Sequence, residues 1–220
     1  MNYAELVSAI QAYTENTETN FVAEIPVFVQ QAEQRIYNSV QFPSIRKNVT
    51  GTTTINNKYL QCPTDFLATY SLAVIDAAGA YEYLLNKDVN FIRQAYPTPA
   101  DTGTPKYYAL FGPRSDNAAE LTFILGPTPD AAYSSELHYY FYPPSITVSP
   151  YTSWLGDNFD TVLLYASLVE AYTYMKGETD MMALYNGKYQ EALALAKRLG
   201  DGLERGDAYR DGQTKIRVTT

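Results

Sequence analysis

Between Thr161 and Met175 the chain carries one charge, Glu170, and the rest of the stretch leaves almost no polar face on a helical wheel. A helix of that kind has to be buried nearly all round, so several other elements must surround it. This requirement constrains the fold more than any other stretch. The helix is predicted over Phe159 to Lys176, with Asp157 or Asn158 as its N-cap and Gly177 as its stop. A further helix, about Thr179 to Leu199, aligns Met181, Leu184, Tyr185, Ala192, Leu195 and Leu199. Gly187 inside it either answers a packing need or weakens the helix by about 1 kcal/mol.

The other end of the chain is helical too. Tyr3 to Thr14 places Leu6, Val7, Ile10 and Tyr13 on one stripe, and Ile25 to Val40 lines up Ile25, Phe28, Val29, Ala32, Ile36 and Val40. Proline is accommodated in a first helical turn, so Pro26 predicts a start near Glu24, and Phe42-Pro43 predicts the end. From Ile45 to Tyr142 the period changes to that of strands. Candidates are Val49–Ile55, Tyr59–Cys62, Tyr70–Asp76, Ala80–Leu85, Lys106–Phe111, Glu120–Leu125 and Glu136–Tyr142, with a short helix at Lys87–Tyr96. Glycine and proline punctuate the series. Neither terminal pair of helices can bury the central one alone. The expected fold is therefore α+β: a helical bundle built from the N- and C-terminal helices, with an inserted antiparallel β-sandwich or barrel. The expected division is 1–44 and 151–204 for the bundle, 45–150 for the insertion and 205–220 for an extended arm.

Few chemistries survive inspection. The net charge of −8 and pI near 4.7 argue against a body that wraps nucleic acid. One cysteine, Cys62, excludes an intrachain disulfide, and one histidine, His138, excludes a two-histidine centre. No signal peptide and no membrane span is expected. P-loop, dinucleotide, nucleophile-elbow and zincin motifs do not occur, so neither an enzyme nor a cofactor is predicted. His138, among aromatic residues, reads as a packing residue, and Cys62 as an inert thiol. Glu33 and Glu170 could form a carboxylate pair, but Arg35 is the expected partner of Glu170. Asp201, Asp207 and Asp211 lack calcium-loop spacing. Twenty-one tyrosines against nine phenylalanines suit half-buried strands or subunit contacts.

The last sixteen residues hold Arg205, Arg210, Lys215 and Arg217 against Asp207 and Asp211, a net +2 that leaves the remainder at −10. Lys215-Ile216-Arg217-Val218-Thr219 alternates polar and apolar residues. Such a segment either frays in solvent or docks on a partner by strand addition. The candidate partner-binding residues are Arg205, Tyr209, Arg210, Lys215, Ile216, Arg217 and Val218.

Four segments, taken in order, resemble the head-to-tail adaptor proteins of tailed bacteriophages. They are Phe21 to Tyr37 with its Ile-Pro entry and Ala-Glu-x-Arg-Ile core; Cys62-Pro63-Thr64-Asp65-Phe66-Leu67; Gly103-Thr104-Pro105-Lys106-Tyr107-Tyr108 followed by Leu125-Gly126-Pro127-Thr128-Pro129-Asp130 and the aromatic strand to Tyr142; and Trp154-Leu155 through Asp160 into Leu163-Leu164-Tyr165-Ala166 and Tyr174-Met175-Lys176-Gly177. The resemblance implies a structural virion protein of the neck, assembled in the bacterial host cytoplasm. It would form a homo-oligomeric ring, typically a dodecamer, beneath the portal protein. The ring would extend the channel for double-stranded DNA without binding it specifically, and would dock a tail nozzle or tail-tube protein. The arm 205–220 would reach into the portal. Two alternatives stand beside this: a nozzle-side or tail-tube protein without portal contact, and a carbohydrate-binding β module using exposed tyrosines.

Overall fold

The structure, a computed structural model, describes residues 1–98, 100–112 and 121–205. It opens with α1 (Tyr3–Thr14) and α2 (Thr19–Ser39), then β1 (Arg46–Thr52), β2 (Tyr59–Gln61), β3 (Ala68–Ile75), β4 (Tyr81–Tyr83) and β5 (Leu85–Asn86). After α3 (Val89–Ala95) come β6 (Tyr107–Phe111), β7 (Thr122–Gly126) and β8 (Ser134–Tyr140), and it closes with α4 (Trp154–Asn158), α5 (Asp160–Met175) and α6 (Thr179–Arg205). The class is α+β, with six helices and two open sheets among the described residues. Two compact units divide the chain: Met1–Ile45 with Pro143–Thr220, and Arg46–Tyr142.

The first unit is helical. Asn2 caps α1: its side chain accepts the Glu5 amide at 3.0 Å, and the Glu5 carboxylate accepts the Asn2 amide at 2.9 Å. Leu6 and Ile10 of the predicted stripe are fully buried. α2 departs from expectation, beginning at Thr19 and carrying Pro26 inside it. An interior proline costs about 3 kcal/mol. The extra turns bury Phe21, whose ring lies 5.8 Å from Phe28 and 6.4 Å from Tyr174. A buried phenylalanine contributes about 2–3 kcal/mol and each aromatic pair about 1 kcal/mol, which offsets the proline.

α5 packs against α1, α2, α4 and α6, the central position its composition demands. Its predicted caps are not used. Ser153 instead accepts the Gly156 amide at 3.0 Å to start α4, and Phe159 leads into α5 without a side-chain cap. That corner is pinned by Phe42, Trp154 and Phe159, with ring centroids 5.1–5.4 Å apart. At its C-terminus Lys176, not Gly177, turns left-handed at φ 54°. The Lys176 and Gly177 amides bond back to the Thr173 and Tyr172 carbonyls, the doubly bonded helix ending that usually places glycine at the left-handed residue. Gly177 is needed for space: a Cβ there would lie 2.6 Å from the Tyr172 ring. α6 continues past Leu199 to Arg205.

Segment 145–147 is tied to α2 by side chains. The buried Glu33 carboxylate accepts the Ile146 amide at 3.0 Å, and Gln30 donates to the Thr147 hydroxyl at 3.0 Å. Burial pushes the Glu33 carboxyl above the ordinary range, outweighing the bonds from Ser145 and Ile146 that pull it down.

In the second unit one sheet runs β1-β8-β3-β4 and is antiparallel throughout, while the other runs β2-β7-β6-β5. The second sheet corrects the expectation of purely antiparallel pairing, because β5 and β6 are parallel. The physical reason is α3: a helical crossover between neighbouring strands returns the chain in the same direction. A closed barrel is likewise not formed. β4 and β5 are nearly one strand that changes sheet at Leu84, whose amide bonds to Leu72, while the Leu85 amide bonds to Lys106. Burial alternates clearly along β8, while β7 is buried throughout, and Leu72, Val74, Leu137 and Tyr139 from one sheet share a core with Tyr108, Phe123 and Leu125 from the other.

Two outcomes test these energetics. Gly187 is exposed and a Cβ there would meet nothing within 4 Å, so Gly187→Ala should stabilise the protein by about 1 kcal/mol in urea denaturation. For Glu33 the raised folded pKa makes its contribution greatest below the unfolded carboxylate pKa and diminishing as pH rises through the folded value. Glu33→Gln should therefore be at least as stable as wild type at pH 8 and lose that advantage toward pH 4, whereas Glu33→Ala, which orphans the Ile146 amide, should cost about 1–3 kcal/mol at both.

Candidate assembly surface

The structure places only the first candidate residue of the arm: Arg205 ends α6. Tyr209, Arg210, Lys215, Ile216, Arg217 and Val218 lie outside the described residues, as do Asp207 and Asp211.

The residues weighed for chemistry are engaged elsewhere. Cys62 is buried, and burial pushes its thiol up to about 12, where it holds almost no thiolate at neutral pH. His138 is not the packing residue the sequence suggested. The period of β8 buries Ser135, Leu137 and Tyr139 and turns Glu136 and His138 outward, with Nε2 of His138 3.5 Å from Glu136. Glu170 pairs with Arg35, as the sequence suggested, and Glu33 serves the Ile146 amide. Among the described residues no group of histidine, cysteine, aspartate and glutamate could hold a metal ion, and no helix is long and apolar enough to cross a membrane.

The segments that carried the resemblance are scaffold. In Ala32-Glu33-Gln34-Arg35-Ile36 the two apolar residues face the core, Glu33 holds segment 145–147 and Arg35 holds α5. In the Asp65-Phe66-Leu67 turn, Asp65 accepts the Tyr139 hydroxyl at 2.8 Å and the Lys47 ammonium at 2.7 Å. Phe66 packs edge-on against Phe123 at 5.5 Å and stacks on Tyr139 at 5.9 Å, and the Leu67 amide bonds to the Tyr140 carbonyl. Gly126 lets α3 approach β7: a Cβ there would lie 2.9 Å from Ile92 and 3.0 Å from Tyr96. Asp130 accepts the Tyr133 hydroxyl in the following loop.

Two clusters of tyrosines stand out, one in each unit. In the helical unit Tyr185 is buried against Tyr172 at 4.9 Å, Tyr165 at 6.3 Å and Tyr13 at 6.4 Å. Burial first, then the neighbouring tyrosines, pushes the Tyr185 hydroxyl up to about 12. In the β unit the outward face of the first sheet carries the Arg46 guanidinium between the rings of Tyr70 and Tyr140, at 5.4 and 5.9 Å. Across the sheet Tyr81 and Tyr83 stand exposed on β4, and Glu136 hydrogen-bonds the Tyr81 hydroxyl and raises its pKa. Sequence reasoning missed this group, because alternation identifies a strand but not which strand ends at an edge.

Compared with models of protein families, the chain matches the one described as SU10 adaptor protein over residues 1–215. Among curated proteins no match is found.

The Asp65 cluster yields the opposite pH test to Glu33. Burial raises the Asp65 pKa, but the bonds from Lys47 and Tyr139 together outweigh it and hold the carboxyl below the usual range. Its contribution is therefore present above the unfolded pKa and lost as pH falls through the folded one. Asp65→Asn should cost about 1 kcal/mol at pH 7, solvent screening of the exposed Lys47 keeping the figure small, and the gap to wild type should close on acidification below about pH 4. Urea midpoints measured across that range decide it.

Proposed function

The chain belongs to the SU10 adaptor protein family, a family of phage head-to-tail adaptors, and from that premise we propose that it is the ring-forming subunit that joins portal to tail. Family membership makes it a bacteriophage adaptor with a structural role in the virion. The match over residues 1–215 is the observation that carries the reading, since it spans both units and most of the arm.

In this reading the two helical ends form a bundle, the β unit is a sandwich inserted into it, and 205–220 is an arm that enters the portal. Arg205, Tyr209, Arg210, Lys215, Ile216, Arg217 and Val218 are its contact residues. The alternation of Lys215 to Thr219 suits strand addition, where backbone bonds supply affinity and alternate side chains read pockets. Twelve-fold repetition requires a heterologous contact, two different faces of each subunit meeting head to tail and closing on themselves. Exposed tyrosines on both units suit such faces, each offering apolar area with a hydroxyl that tolerates water. The charge distribution supports a DNA channel. A body near −10 repels phosphate, so a genome slides through a lumen built from it without adhering.

The engagement of the portal is tested by deleting residues 205–220. The shortened chain should retain the helical circular dichroism of the full chain and lose co-sedimentation with portal rings. Unchanged co-sedimentation would remove the arm from the mechanism and favour a nozzle-side position.

A further inference from the structure

The β3–β4 hairpin ends in an open edge whose polarity can be read from its hydrogen bonds. The Leu84 amide bonds to the Leu72 carbonyl, and the Asp76 amide to the Ala80 carbonyl, so the even-numbered residues of this strand face β3. The odd-numbered residues face away. Leu85 accordingly donates its amide to Lys106 in the second sheet. The same orientation turns the N–H and C=O groups of Tyr81 and Tyr83 outward, where no described strand pairs with them. Both side chains are open to solvent, 50% and 66% exposed, with rings 6.1 Å apart and planes within 25°.

Charge distinguishes this edge from the opposite one. From Ala68 to Leu85 the chain holds Asp76 and Glu82 and no lysine or arginine, and β8 adds Glu136. Arg46 and Lys47, the sheet's lysine and arginine residues, lie on β1 at the far edge, where Lys47 is held by Asp65. A short edge bearing a glutamate resists pairing with an identical edge of another copy, since the two carboxylates would meet. The same charge selects a cationic strand.

We propose that β4 is a docking strand for an extended, lysine- and arginine-bearing segment of another chain. That segment adds to the sheet through the outward backbone groups of Tyr81 and Tyr83, and its cations, at alternate positions, lie against the two rings on one face, drawn to the edge by the negative charge of Glu82 and Glu136. The inference rests on the β unit alone and stands or falls separately from portal binding.

The probe is a fluorescein-labelled peptide with the alternating basic sequence of residues 213–220, added to the full chain and followed by anisotropy. A control peptide carries glutamate in place of Lys215 and Arg217. The basic peptide should bind, the control should not, and Glu82→Lys should weaken binding by about tenfold or more. Tyr83→Pro removes an outward-facing amide together with one of the two rings and should abolish binding with the circular dichroism unchanged, whereas Tyr83→Leu, which keeps the amide, should only weaken it. Hydrogen exchange at Tyr81 and Tyr83 should slow on saturation with the peptide. Absence of binding, equal binding of both peptides, indifference to Glu82→Lys, or binding that leaves those two amides unprotected would each overturn the proposal.

Discussion

The helical unit depends on one meeting, that of α2 with the chain that returns more than a hundred residues later. Glu33 accepts the Ile146 amide, Arg35 pairs with Glu170, and α2 and α5 pack along their lengths. Closing a flexible loop of that length costs on the order of 4 kcal/mol, more than any one of these bonds returns. The second unit removes the difficulty by its own topology. Its first strand pairs with its last, Arg46 opposite Tyr140, so once the sheet forms the two exits of the insertion are neighbours. The buried carboxylate then joins segments already held near one another.

That arrangement explains the character of the matched motifs. Asp65, Phe66, Glu33, Arg35 and Gly126 are residues whose chemistry would be noticed in an enzyme, yet each is spent on a turn, a helix pair or a close approach. The two carboxylates show how environment sets the role. Glu33, taken from water, is displaced toward its neutral form and tolerated because it satisfies a buried amide. Asp65 stays near solvent with a lysine and a tyrosine hydroxyl, and is displaced toward its charged form.

The ends of the chain were legible because their signals are local. The stripe of Leu6 and Ile10 delimits α1 as expected, with the Asn2–Glu5 box, which sequence reasoning did not single out, closing its start, and the Arg35–Glu170 pair follows once two apolar faces are assumed to meet. Where local rules failed, a tertiary contact had overruled them. Pro26 predicted a helix start, but the aromatic cluster around Phe21 extends the helix past it. Gly177 predicted the left-handed stop, but the Tyr172 ring claims its side and Lys176 takes the strained conformation. The parallel β5–β6 pair and the exposed edge at β4 depend on strand order, a non-local property that alternation does not encode. Of the candidate arm only Arg205 falls within the described residues.

A protein that works by contact must make adhesive surfaces without adhering to itself. Tyrosine serves the first need: buried, it packs like phenylalanine, as Tyr139 does against Phe66, and exposed it carries a hydroxyl that keeps its surface wettable. Charge serves the second. A net negative charge discourages copies from clumping, while the cations of residues 205–220 give that stretch of sequence a net sign opposite to that of the remainder. The free edge at β4 combines both devices on three residues, two tyrosines flanking a glutamate. Such an edge is weak toward its own kind and receptive to a strand of the other charge, so specificity comes from the partner's sign and backbone together and no deep pocket is required.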